Sequence, residues 1–229
     1  MILHTEYAQG SVEWMLARAG IPTASEFDNL LTPEFKPRTG ETPRSYLAKK
    51  VAEAWQGGPL VQFNTFDMEQ GHILEHEAVP WYEFEFSEPV RRVAFATTDD
   101  GRTGCSPDGL IGEDGGIEIK CPQVHTHVGY LLKGGVPKDY LAQVHGAMFV
   151  TGRAWWKFLS YRRHFPPLLV LVERDDKIQE AISEALASFR ADFDRAMAHL
   201  IDLNGGPPKR RQPTPPPLAY SASMDDIPH

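Results

Sequence analysis

Thr103-Gly-Cys-Ser-Pro-Asp-Gly-Leu-Ile-Gly-Glu-Asp-Gly-Gly-Ile-Glu-Ile-Lys-Cys-Pro122 is the stretch from which the rest of the chain is read. Leu110 and Ile111 end a short apolar run, residues 112–116 are turn material, and residues 116–120 alternate with period two. The pattern predicts a β-hairpin, with Ile117 and Ile119 on one face of its second strand and Glu118 and Lys120 on the other. Asp108 sits near the start of the first strand, where the hairpin can bring its carboxylate beside Glu118. Two carboxylates and an ammonium on one point are costly, because without a cation one acid has its pKa pushed up. A bound Mg²⁺ removes that penalty, since hard divalent ions take one or two carboxylates plus water and substrate phosphate. The competing reading is a solvated hairpin whose acids and lysine form cross-strand pairs worth about 0.2–1 kcal/mol each.

Cys105-Ser-Pro-Asp-Gly-Leu110, followed by Ile117-Glu-Ile-Lys-Cys-Pro122, resembles the PD-(D/E)XK nuclease superfamily. Within it the pattern is most similar to the lambda-phage exonuclease (YqaJ-like viral recombinase) family. The resemblance implies an α/β chain with a restriction-endonuclease-like core, a central mixed β-sheet flanked by helices. It implies Mg²⁺ as cofactor, two ions, with Mn²⁺ able to substitute. Asp108, Glu118, the Ile119 carbonyl and Glu75 would hold the metal, and Lys120 would orient the attacking water.

Other segments extend the resemblance in the same order. Glu13-Trp-Met-Leu-Ala-Arg18 and Ile21-Pro-Thr-Ala-Ser-Glu26 are similar to the family's N-terminal segment and imply that Arg18 and Ser25 hold the 5′-phosphate of a duplex end. Lys36-Pro-Arg-Thr-Gly40 resembles its loop over the active site and implies a DNA contact by Arg38, although Glu41 departs from a more basic continuation. Ala142-Gln-Val-His-Gly-Ala-Met-Phe-Val150 resembles its glutamine-bearing helix and implies that Gln143 reaches the active site as part of the phosphate pocket with Arg18 and Ser25. Ser106, beside Asp108, is expected to face the terminal phosphate.

Composition sets wide bounds. The chain has 229 residues, 41% hydrophobic and 24% charged, values ordinary for a globular protein with one sizeable core. No apolar run approaches the ~20 residues of a membrane helix, and Met1-Ile-Leu-His-Thr-Glu lacks the plan of a signal peptide. A cytoplasmic protein of a phage or prophage in a bacterial host is expected. Cys105 and Cys121 read as free thiols, and two cysteines cannot supply an iron–sulfur cluster. A net charge of −8 argues against a general nucleic-acid coat, but a local basic channel remains compatible with it.

Taken in order, residues 11–19 have helical spacing, and Thr23 with Glu26 forms a capping box for a second short helix over 24–31. Residues 32–42 read as a mobile basic loop. A helix through about Gln56 should bury Tyr46, Leu47, Val51 and Ala54 and expose Lys49 and Lys50. Asn64 or Thr65 caps a helix to about Phe84 that carries Glu75. His72 and His76 lie four apart on it, but the pattern is not H-E-x-x-H. Residues 89–96 are strand-like, and Asp99-Asp-Gly101 is a turn leading into the opening motif. His125 and His127 have the spacing of a strand-borne metal site without supporting acids or cysteines. Lys138–Val150 is an amphipathic helix, 154–161 and 168–173 are a strand pair, and a helix of nearly thirty residues follows, with a stripe from Ile178 to Leu200. A nuclease domain over 1–204 and a flexible proline-rich tail over 205–229 are expected.

The expected activity is Mg²⁺-dependent 5′-to-3′ digestion of linear duplex DNA, releasing mononucleotides and leaving 3′ single strands for recombination by strand annealing. A ring-shaped homotrimer and a single-strand annealing partner come with the resemblance. Another nuclease of the superfamily, endonucleolytic or repair-type, and a catalytically silent DNA-binding subunit stay open at this point.

Overall fold

A computed structural model describes residues 1–60 and 66–208, and for positions 66–73 and 75 the backbone alone. The elements run β1 (Ile2–His4), α1 (Val12–Arg18), a 3₁₀ segment (Ala24–Asn29), α2 (Glu41–Gln56), α3 (Phe66–Phe86), β2 (Val90–Arg91) and β3 (Phe95–Thr97). They continue with β4 (Gly104–Cys105), β5 (Gly109–Ile111), β6 (Gly115–Lys120), α4 (Val124–Lys133), α5 (Lys138–Thr151), β7 (Trp155–Ser160), β8 (Leu168–Glu173) and α6 (Asp176–Asn204).

The central sheet has the order β2-β5-β6-β7-β8 and is mixed: β6 and β7 are parallel, the other pairs antiparallel. The parallel pair requires a crossover, which α4 and α5 supply. Alternation along the strands sorts the core. Ile117, Ile119 and Leu159 pack with Ala78, Val79 and Tyr82 of α3. Trp156 and Phe158 pack on the opposite face with Val144 and Met148 of α5 and Ile182, Leu186 and Phe189 of α6. Gly115 and Gly116 lie opposite Trp155 and Trp156, whose rings fill the space a β-carbon would need, at 2.0 and 2.4 Å. The two glycines let both indoles lie across the start of β6.

Several local expectations give way. The strand expected over 89–96 is two short strands in different sheets: β3 joins β1 and β4, while β2 joins β5. Thr23 is the N-cap of the 3₁₀ segment, but its hydroxyl bonds the Glu26 carboxylate at 3.2 Å and caps no backbone N–H, because that carboxylate is drawn toward two lysines. Lys50 is not exposed: it is 3% accessible, paired with Glu26 and Glu53. Residues 32–42 close on themselves through Thr32 N–H to Lys36 O and Arg38 N–H to Leu30 O, both 2.8 Å. The histidines at 125 and 127 lie on helix α4, and His127 is fully buried, bonded to Ser160 and the Pro166 carbonyl, which excludes a strand-borne site. The strand β1 has no counterpart in the sequence reading. The expected cap at Asn64 or Thr65, the tail from 209 onward and the side chains of Glu75 and His72 lie outside the described residues.

Candidate active site

The hairpin sets the acids. Gly109 pairs with Ile117, so one step further out Asp108 lies beside Glu118. The Asp108 carboxylate accepts the Ile119 N–H at 2.5 Å, which turns it toward the open edge of β6 beyond the end of β5. A residue's N–H and C=O point to the same strand edge, so the Ile119 carbonyl shares that edge. Glu118 alternates to the α5 face, where Lys120 Nζ and Gln143 Nε2 both donate to its Oε1 at 2.5 Å. Asp108 and Glu118 are 8% and 2% exposed. Burial alone would lower the pKa of Lys120, but Glu118 and Asp108 outweigh it and hold the ammonium above the usual lysine range. Tyr140, stacked on Phe158, presents its ring 5.1 Å from that ammonium.

Beside the hairpin the main-chain ladder is interrupted. Ala96 pairs with Cys105 and Arg91 with Leu110, yet between these pairs residues 92–94 and 106–108 belong to no paired strand. Pro107 has no N–H to give. Side chains supply the rungs instead. Trp14 Nε1 reaches the Ala94 carbonyl at 3.1 Å and Ser106 Oγ at 2.9 Å, and Gln9 Nε2 bridges the Val93 and Pro107 carbonyls at 3.1 and 2.9 Å. Arg92 donates to the Asp108 carbonyl at 2.7 Å.

Trp14 thereby fixes Arg18 one turn further along α1, its guanidinium 4.4 Å from the indole. Arg18 donates to Ser106 Oγ at 2.7 Å, Ser25 Oγ at 3.2 Å and Thr23 Oγ1 at 3.3 Å. Three of the residues expected around a terminal phosphate are thus in one cluster, and Gln143 stands at the carboxylates. Burial lowers the pKa of the guanidinium, with Glu26 opposing. Behind the cluster, Glu26 receives Lys49 at 2.7 Å and Lys50 at 2.9 Å. Burial pushes its carboxyl up, but Lys50 and Lys49 outweigh that and hold it at about 2. A cleft of about 1090 Å³ is lined by Arg18, Ser25, Lys49, Lys50 and Arg92, and it adjoins the carboxylates without including them. Arg38 stands apart, its Nε on the Asp28 and Leu31 carbonyls.

The donors present suit a hard cation: two buried carboxylates and a carbonyl on one edge. The neighbouring Cys105 thiol is buried and pushed well up by burial and then by Glu118. No three His, Cys, Asp or Glu side chains gather into a metal cluster among the described residues, where Asp108 and Glu118 are two and Glu75 cannot be counted. Gln9, Trp14, Arg92, Glu26 and Lys50 were not singled out by sequence reasoning. Only the clash between Pro107 and a continuous strand signalled that side chains would be needed there.

An aspartate and a glutamate brought together by a hairpin on a mixed sheet, with a lysine two residues on, define a PD-(D/E)XK-type protein. The chain belongs to the YqaJ-like viral recombinase domain family, whose model matches residues 13–154. It is similar to an alkaline exonuclease, LHK-Exo from Laribacter hongkongensis, with 29% identity, a TM-score of 0.78, and coverage of 85% of this chain and 98% of that one. The complex of LHK-Exo with dAMP matches with a TM-score of 0.77 at the same identity and coverage. A phage-related exonuclease from Haemophilus somnus 129PT shares the fold, with 13% identity, a TM-score of 0.61, and coverage of 79% of this chain and 96% of that one. A search of curated proteins finds no match.

Proposed function

We propose that this protein is a Mg²⁺-dependent exonuclease that digests the 5′-ended strand of linear duplex DNA, releasing 5′-mononucleotides and leaving 3′ overhangs. The observation that carries the reading is the adjacency of an anion pocket at Ser106 and a carboxylate pair at Asp108. Ser106 Oγ accepts from both Trp14 and Arg18. Its two lone pairs are thereby occupied, and its own O–H is left to donate. A hydroxyl polarised in this way, beside a guanidinium and Ser25, suits the oxygens of a phosphate. Ser106 and Asp108 are two residues apart, about 6–7 Å along an extended chain. That distance is of the order of the spacing between consecutive phosphates of one strand. A terminal phosphate held at Ser106 therefore presents the next phosphodiester to Asp108, which accounts for release of single nucleotides. The dAMP bound by LHK-Exo supports the same product.

Asp108, Glu118 and the Ile119 carbonyl, with Glu75 from α3, would hold the metal, which supplies charge neutralisation at phosphorus and a water more acidic than bulk water. Lys120, which donates to Glu118, would orient the attacking water or help deprotonate it, and its place among the acids favours orienting. Gln143 fixes the Glu118 carboxylate from the side opposite the hairpin. Within this reading Arg38 contacts the duplex, and the chain works as a ring-shaped homotrimer beside a single-strand annealing protein, as family resemblance implies. Sedimentation as a monomer under digestion conditions would remove the ring.

The experiment is digestion of end-labelled linear duplex with and without Mg²⁺, scored for polarity. Mononucleotides released from the 5′ end in the presence of Mg²⁺ alone are expected. Digestion from the 3′ end, or cutting of a covalently closed circle, overturns the assignment.

A further inference from the structure

We infer that Arg92 is a substrate-contacting residue, holding the scissile phosphate from the cleft that adjoins the carboxylates. The inference rests on the exonuclease reading above and adds a residue to its site.

Arg92 follows β2 and opens the interrupted stretch of the ladder. Its Nη1 bonds the Asp108 carbonyl at 2.7 Å. That bond places a guanidinium at the main chain of the first metal-site acid. The side chain also lines the cleft that contains Arg18 and Ser25.

The rungs give the geometry. Trp14 ties Ala94 to Ser106, Gln9 ties Val93 to Pro107, and Arg92 ties itself to Asp108. The two strands therefore advance together, and Arg92 stands two residues along from the level of the terminal-phosphate pocket. A strand whose 5′-phosphate lies at Ser106 brings its next phosphate to the level of Arg92. Arginine suits this role because its charge is permanent and its fork matches phosphate oxygens. The chain as a whole carries a charge of −8, so a cation here, with Arg18, Lys49 and Lys50 on the same cleft, provides local attraction for a phosphate backbone.

Two roles compete: contact with the phosphate, and bracing of Asp108 through its carbonyl. Binding without metal separates them. The wild-type protein, Arg92→Ala and Arg92→Lys are titrated in EDTA with a 5′-phosphorylated duplex, either all-phosphate or with one neutral methylphosphonate at the first internucleotide linkage. The neutral linkage should weaken wild-type binding by about 10-fold or more, the range of a hydrogen bond to a charged group. It should weaken Arg92→Ala by less than about 3-fold, and Arg92→Lys should recover part of the difference. An equal penalty in all three proteins overturns the contact and leaves Arg92 as a brace. Mg²⁺-dependent digestion by the wild-type protein is measured in parallel. Its absence removes the exonuclease reading, whereas its presence with an equal penalty removes the Arg92 inference alone.

Discussion

The carboxylate hairpin and the Arg18 pocket lie two residues apart along one strand yet are built in opposite ways. The hairpin is continuous chain: β5 and β6 form a backbone ladder, and Asp108, Glu118 and Lys120 take their places from its register. The pocket is assembled from three separated pieces, since Trp14 and Arg18 of α1, Ser25 and Ser106 meet through side-chain hydrogen bonds. On the proposed function, the contrast predicts that chemistry and end recognition fail independently. Loss of an acid should stop hydrolysis while sparing the preference for an end, and loss of the pocket should do the reverse.

The largest effect expected tests the hairpin. Asp108→Ala and Lys120→Ala should fold, by circular dichroism, and lose at least about 10³-fold of Mg²⁺-dependent activity, since both groups act in one unit. Full activity in either would break the comparison at its centre. Next comes the pocket: Arg18→Ala should slow digestion of 5′-phosphorylated ends by about 10–100-fold and leave 5′-hydroxyl ends nearly unchanged. Equal slowing of both would show that the pocket does not read the end.

Gln143→Ala should cost roughly 10-fold in kcat, as for an outer partner of a metal-binding carboxylate, with KM for DNA ends little moved. A KM effect alone would move Gln143 from the hairpin to the pocket. The smallest effect concerns Glu26, whose folded carboxyl is held at about 2, below its ordinary 4.5. A lowered folded pKa means that its stabilisation is complete above pH 4.5 and fades as pH falls toward 2. Thermal unfolding of the wild-type protein should therefore lose more between pH 5 and pH 3 than that of Glu26→Gln. Parallel losses would show that the lysine pair does not depend on the Glu26 charge.

The same contrast explains what the sequence let one read. A period-two run, a glycine-rich turn and an Asp at a fixed distance are local, so β5, β6 and the position of Asp108 beside Glu118 follow from residues 108–120 alone. Helices α5 and α6 also read cleanly, because their apolar stripes recur every three or four residues. Arg18, Ser25 and Gln143 are ordinary helix and turn residues in isolation, and resemblance alone pointed to them. Lys50 misled because a Lys-Lys pair on an amphipathic helix reads as solvated, and only tertiary packing brings Glu26 and Glu53 to it. Residues 89–96 misled because their composition is strand-like throughout. The interruption comes from Pro107, a residue of the partner strand.

That proline has a practical consequence. Because Gln9 and Trp14 replace the missing ladder, the catalytic strand is suspended from the first turns of the chain. The N-terminal segment is therefore part of the support of the proposed site, and trimming it through Trp14, which also removes β1, should cost activity.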